Sequence, residues 1–186
     1  MTGPRRRGHR KPPTYLKEHE RDQLLAIVED PRDRAIISLF CYAGLRLNEL
    51  VMLDRADVDL RERTILVRFA KGGKWRKLRL HQVPEKAVTA YLATRADPDP
   101  ALFLSQRRQR INWRSVEAML DRYTAKLNLG KRVTPHCLRH TFATALLRQC
   151  KDLQIVQRAL GHSNITTTTI YLHLADDVLY GAMDQL

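Results

Sequence analysis

Residues 57–80 change the hydrophobic period of the chain, and that change limits the folds open to it. Upstream, apolar residues recur at steps of three and four. From Asp57 the segments DVDL, TILVRF and WRKLRL are instead rich in strand-forming residues, and Lys71-Gly72-Gly73-Lys74 separates the last two. Paired glycines between such segments suit a tight hairpin, because glycine takes positive φ without strain. The expected architecture is mainly α with a small antiparallel β-sheet inserted early, an α+β fold with no solenoid-length repeat.

The helices can be read from spacing and caps. Residues 16–29 carry Leu24, Leu25, Ile27 and Val28 on one face, and Pro31 interrupts the pattern. A second helix is expected from about Arg32, burying Ala35, Ile36, Leu39 and Phe40 and ending at Gly44, which suits a left-handed terminus. Leu47, Leu50 and Leu53 are the apolar positions of a further short helix. After the sheet, helical signals return at Pro84–Ala96 and again from Trp113 to near Gly130, where Trp113, Val116, Met119, Leu120, Tyr123 and Leu127 read as core.

The chain of 186 residues carries a formal net charge of +13, a balance that points to a polyanionic partner, with nucleic acid foremost. Arg5, Arg6, Arg7, Arg10 and Lys11 form a basic flexible arm or linker over residues 1–13. Arg107, Arg108, Arg110 and Arg114 form a second basic cluster. No apolar run nears the roughly 20 residues needed to span a bilayer, and no apolar segment follows the basic N-terminus as in a secretory signal. The expected location is the cytoplasm. Cys41, Cys137 and Cys150 are odd in number and form no paired motif, so they read as buried or inert thiols.

The densest chemistry lies between Thr134 and Tyr171. Thr134 suits an N-cap and Pro135 the first helical position, starting a helix that runs to about Gln149. This places His136 and Arg139 on one face near the helix N-terminus, where backbone N–H groups and the dipole favour an anion. Leu138, Phe142, Ala145 and Leu146 are expected to face the core. Asp152 can cap the next helix, which stops at Gly161 and leaves His162 beyond it, followed by a threonine run and Tyr171. His136 and His140 lie four apart, but no third ligand has metal-binding spacing. The glycine pair lacks the rest of an ATP-binding loop.

Gly44-Leu45-Arg46-Leu47-Asn48-Glu49-Leu50, Lys71-Gly72-Gly73-Lys74, His136-Cys137-Leu138-Arg139-His140, Leu160-Gly161-His162 and Tyr171 occur in that order. Together they resemble the catalytic domain of the tyrosine recombinases, the phage-integrase family, and most of all its Xer-type and integrase members. The resemblance covers residues from about Leu16 to Leu186, and it implies the tyrosine recombinase catalytic-domain fold over residues 14–186. Family members usually carry a separate DNA-clamping domain upstream. Here only the basic arm stands in that place, so an excised domain and a naturally short protein are both open readings.

The resemblance implies a site-specific recombinase that cleaves and rejoins DNA through a covalent 3′-phosphotyrosyl link, without metal, ATP or other cofactor. It assigns Tyr171 as nucleophile and Arg46 and Arg139 as the clamp on the nonbridging phosphate oxygens. Planar guanidinium forks suit that task. Lys71 would protonate the departing 5′ hydroxyl, with Lys74 a rival three residues away. His136 would move a proton, His162 would hydrogen-bond the phosphate, and Glu49 would orient a cationic neighbour, while His140 supports the helix. A phenol with a pKa of ~10 needs this positive surround to attack at neutral pH.

The implied partner is double-stranded DNA, gripped by the arm, by Lys74 and by the cluster of Arg107, Arg108 and Arg110. The family assembles tetramers, homo- or hetero-oligomeric, on two DNA sites. Val178, Leu179, Met183 and Leu186 could supply such a contact or pack within their own chain. Two other functions fit the same fold: DNA relaxation of the type IB topoisomerase kind, and a DNA-binding module without turnover.

Overall fold

The computed structural model describes residues 14–68 and 75–161. The basic arm, Lys71, Lys74, His162, Tyr171 and the C-terminal segment lie outside the described residues. So do the expectations placed on them.

Among the described residues the order is α1 (Glu18–Ala26), α2 (Pro31–Ala43), α3 (Leu47–Val51), a 3-10 turn (Arg55–Asp57), β1 (Val58–Asp59), β2 (Thr64–Arg68), β3 (Trp75–Arg79), α4 (Gln82–Ala93), α5 (Trp113–Thr124), α6 (Pro135–Cys150) and α7 (Leu153–Leu160). The sheet is antiparallel in the order β1-β2-β3, as the change of period implies. Val67 pairs with Arg76 and Arg68 with Trp75 at its open end. No helix among the described residues is long and apolar enough to cross a membrane.

Helix α2 forms the centre because its face is apolar almost all round. Ile36, Ile37, Leu39 and Phe40 are fully buried, and α4 and α6 pack against it. Residues with that many apolar neighbours are buried rather than amphipathic. Pro31 does not merely end the preceding helix: it is the first residue of α2, capped by the Asp30 side chain accepting from Asp33 N–H. At the other end Gly44 adopts φ +58°, the left-handed terminus that its position suggests.

Several boundaries differ from the expectation. Helix α1 is shorter, α4 starts earlier, at Gln82 behind the His81 cap, and α5 stops at Thr124. Trp113 is not core, since it opens α5 exposed to solvent with the Arg114 guanidinium over its ring. Val116, Met119, Leu120 and Tyr123 do face inward. On α6 the buried positions after Leu138 are Arg139, Thr141, Ala143, Thr144 and Leu147, whereas Ala145 is exposed and Phe142 and Leu146 are partly covered.

A second apolar cluster of Ala143, Leu147, Val156 and Leu160 fastens α7 to the C-terminal half of α6. Asp152 caps α7 and Gly161 ends it at φ +64°, as expected. Cys41 and Cys137 are buried, and burial pushes their thiols up to about 12 and about 11, which keeps both protonated and inert.

Candidate active site

The site is assembled around one carboxylate. Glu49 sits in the first turn of α3, and its Oε2 accepts the Arg46 backbone N–H at 2.8 Å, closing the helix start. Its Oε1 accepts Arg46 Nη1 at 2.7 Å. From the sheet, Arg76 grips both oxygens, Nη1 to Oε1 at 3.0 Å and Nη2 to Oε2 at 2.9 Å. From α6, Arg139 Nη1 stands 3.8 Å from Oε2. A carboxylate has about four lone-pair sites, so these four hydrogen bonds saturate it. Burial alone would raise the Glu49 pKa. The Arg76 bonds and charge, followed by those of Arg46, lower it overall and keep the group ionised.

Arg46 and Arg139, distant in sequence, are thus drawn to one point from two helices. Arg139 is buried, at 3% exposure, and its guanidinium donates from Nη1 to the Gly44 carbonyl and from Nη2 to the Leu160 carbonyl at 2.8 Å. Arg46 keeps a side chain that is 39% exposed, and its Nη2 lies 3.4 Å from the Gly161 carbonyl. Both arginines therefore touch the C-terminal end of α7, where orphan carbonyls and the negative end of the helix dipole attract cations. His136 and Arg139 lie three residues apart on α6, and Arg139 turns inward while His136 is exposed.

His136 and His140 lie one turn apart on α6 with ring centroids 5.5 Å from each other. Partial burial, then the charges of Arg139 and Arg46, lower the His136 pKa from its ordinary value. Burial, then His136 and Arg139, push that of His140 down to about 4. Both rings are neutral at pH 7, so each can act as a hydrogen-bond donor and acceptor beside the arginines.

Of the residues singled out in the sequence, Arg46, Glu49, His136, Arg139 and His140 are brought together. Lys71, Lys74, His162 and Tyr171 lie outside the described residues. In the second basic cluster Arg107 and Arg108 are exposed. Arg110 is committed elsewhere: its guanidinium donates to the Val51 and Leu53 carbonyls at 3.1 and 3.0 Å and pairs with Asp54. Its nitrogens tie the 101–110 loop to the end of α3.

Arg76 was missed. The signal was present: in Trp75–Leu80 the alternation places Arg76, Leu78 and Leu80 on the face that turns inward. A cation at an apolar position of a strand calls for a buried acid, and Glu49 is that acid.

The family described as "Phage integrase family" matches residues 14–177. Tyrosine recombinase XerC of Vibrio vulnificus is 42% identical over 193 residues, spanning all of this chain and 60% of that protein. Tyrosine recombinase XerA of Pyrococcus horikoshii is 36% identical over 176 residues, spanning 93% and 61%. The chain spans about three fifths of the length of these relatives. A crystal structure of XerA recombinase superposes with a TM-score of 0.83 at 40% identity, covering 93% of this chain and 65% of that one. XerH site-specific recombinase bound to palindromic difH substrate, a post-cleavage complex, gives 0.79 at 30% identity, covering 93% and 53%. The ordered motifs, the fold and these likenesses together make the chain a member of the phage integrase family, with the fold of a tyrosine recombinase catalytic domain.

Proposed function

We propose that the chain is the strand-transferring part of a site-specific DNA recombinase. The observation that carries this reading is the convergence of Arg46 and Arg139 on Glu49 and on the carbonyls of Leu160 and Gly161, next in sequence to His162. In the reaction Tyr171 Oη attacks a phosphodiester phosphorus and the P–O bond to the 5′ oxygen breaks. That oxygen takes a proton from Lys71, leaving a 3′-phosphotyrosyl link. A 5′ hydroxyl of another strand reverses these steps to complete the exchange. Arg46 and Arg139 stabilise the charge on the nonbridging oxygens, Glu49 holds them in place, and His162 donates to the phosphate. Neutral His136 accepts or returns the tyrosine proton, and His140 steadies the helix behind it.

Residues 14–186 act as the catalytic domain, and residues 1–13 follow the phosphate backbone together with Lys74, Arg107 and Arg108. The partner is double-stranded DNA in the cytoplasm, engaged by a tetramer on two sites. The XerH–difH complex is a relative caught on DNA after cleavage, which supports this choice of partner.

Nicked suicide duplexes with a randomised central sequence test the reading. The wild-type chain should form a complex with DNA that survives denaturing gels, and Tyr171→Phe should form none. A complex persisting in Tyr171→Phe would remove the nucleophile assignment. Relaxation of supercoiled plasmid by monomers, with no dependence on paired sites, would instead indicate topoisomerase chemistry.

A further inference from the structure

We propose that Arg76 is a positioning residue for strand transfer: through its two-point grip on Glu49 it sets where Arg46 and Arg139 stand around the scissile phosphate. The proposal rests on the functional reading above for the identity of the phosphate. The grip itself rests on geometry alone.

Arg46 by itself cannot fix the carboxylate. It reaches Glu49 from within the same short helix, through a backbone N–H and one terminal nitrogen of a side chain that remains well exposed. Long exposed side chains retain rotamer freedom, and a bond between neighbours on one helix places neither relative to the rest of the fold. Arg76 comes from a different element, is 8% exposed, and delivers a parallel pair of N–H groups to both oxygens. Paired donation of this kind fixes the carboxylate plane as well as its distance. Glu49 then has one orientation, with Oε1 toward Arg46 and Oε2 toward the Arg46 backbone and Arg139.

The anchor of Arg76 is equally firm. It pairs with Val67 in the β2–β3 ladder, and Val67 is fully buried, so the guanidinium starts from a strand set into the core. The chain from core to site runs Val67, Arg76, Glu49, then the two arginines. Lysine cannot replace the fork, because an ammonium is a point charge that satisfies one oxygen at a time.

Among the described residues, the charged groups facing Glu49 are Arg46 at the start of α3, Arg76 from β3 and Arg139 from α6. Weakening the Arg76 grip therefore raises the Glu49 pKa and moves the acid limb of the cleavage rate upward. A residue needed only for folding would lower the amount of active protein and leave that limb in place.

Arg76→Lys keeps the charge and is the variant to use. Single-turnover cleavage of the suicide duplex should fall roughly 10- to 100-fold, as for a displaced transition-state contact, while DNA affinity changes less than about 3-fold. The acid limb should shift upward in pH. Independently of any activity, carbon NMR titration of the Glu49 carboxyl should give a higher pKa in Arg76→Lys than in wild type. An unchanged rate and acid limb, or an unmoved Glu49 titration, would overturn the proposal. If the wild-type chain forms no covalent complex while the Glu49 titration shifts as expected, the strand-transfer reading fails and the positioning of Glu49 by Arg76 stands.

Discussion

Arg139 donates to the carbonyl of Gly44, so the residue that closes α2 also receives the deepest arginine of the site. Gly44 is constrained twice. Its φ of +58° disfavours any side chain, and a Cβ there would lie 2.3 Å from Cδ1 of Phe142 on α6.

Gly44→Ala should therefore lose stability by ~2 kcal/mol or more, combining left-handed strain with overpacking. Urea unfolding gives the value. Adding Phe142→Ala should return part of the loss by clearing the contact, and the remainder measures the strain together with the lost ring. A neutral Gly44→Ala would mean that the turn is not held as described.

Glu49→Gln leaves Arg76 buried against a neutral amide, and breaking a buried pair costs about 3–5 kcal/mol. The pH dependence has a definite sign. Because the folded pKa of Glu49 lies below the unfolded value of about 4.3, its contribution is complete above that value and disappears as pH falls through the folded pKa. Urea midpoints measured from pH 3 to 7 should fall less steeply at the acid end in Glu49→Gln than in wild type.

His140 should act in the same sense over a higher pH interval. Its folded pKa, pushed down to about 4, lies below the unfolded value of about 6.5, so the unfolded chain binds the proton first. Stability should decline as pH drops through that interval and level off below it. Proton NMR should find the ring neutral at pH 6, and His140→Gln should flatten the decline.

Three of the four arginines of the second basic cluster should separate cleanly. Arg110→Ala removes the ties to Val51, Leu53 and Asp54 and should lower stability by ~1–3 kcal/mol. Arg107→Ala and Arg108→Ala, at exposed positions, should stay within about 0.5 kcal/mol of wild type. If these two meet phosphates, each substitution should weaken DNA binding and reduce the salt slope by about one. Filter binding across a salt series checks this.

Much of the fold was legible because its signals are local. Asp152, Thr134 and Pro135 announce their helix starts, Gly44 and Gly161 their ends, and the β-rich segments 64–69 and 75–80 their sheet. Where the reading slipped, a longer-range fact decided. Ala145 and Ala143 are equally apolar, and only the packing of α7 against α6 selects Ala143 for burial. Trp113 follows the helical spacing of its neighbours yet stands exposed at the first turn of α5. In the site, Arg46, Glu49, His136 and Arg139 could be named from ordered motifs, but Arg76 could not be assigned to Glu49 across 27 positions without knowing that β3 lies beside α3.

The carboxylate at the centre of the site has a stoichiometric consequence. Three guanidinium groups surround one acid, so the described cluster holds two positive charges in excess, and neutral His136 and His140 add none. In the proposed reaction the phosphate oxygens carry one negative charge in the diester and two at the phosphorane stage, the second brought in by the attacking phenolate. The two excess charges of the three arginines and Glu49 thus match the charge that gathers on the phosphate oxygens at that stage and exceed the charge of the diester on either side, which would favour passage in both directions over rest at either end.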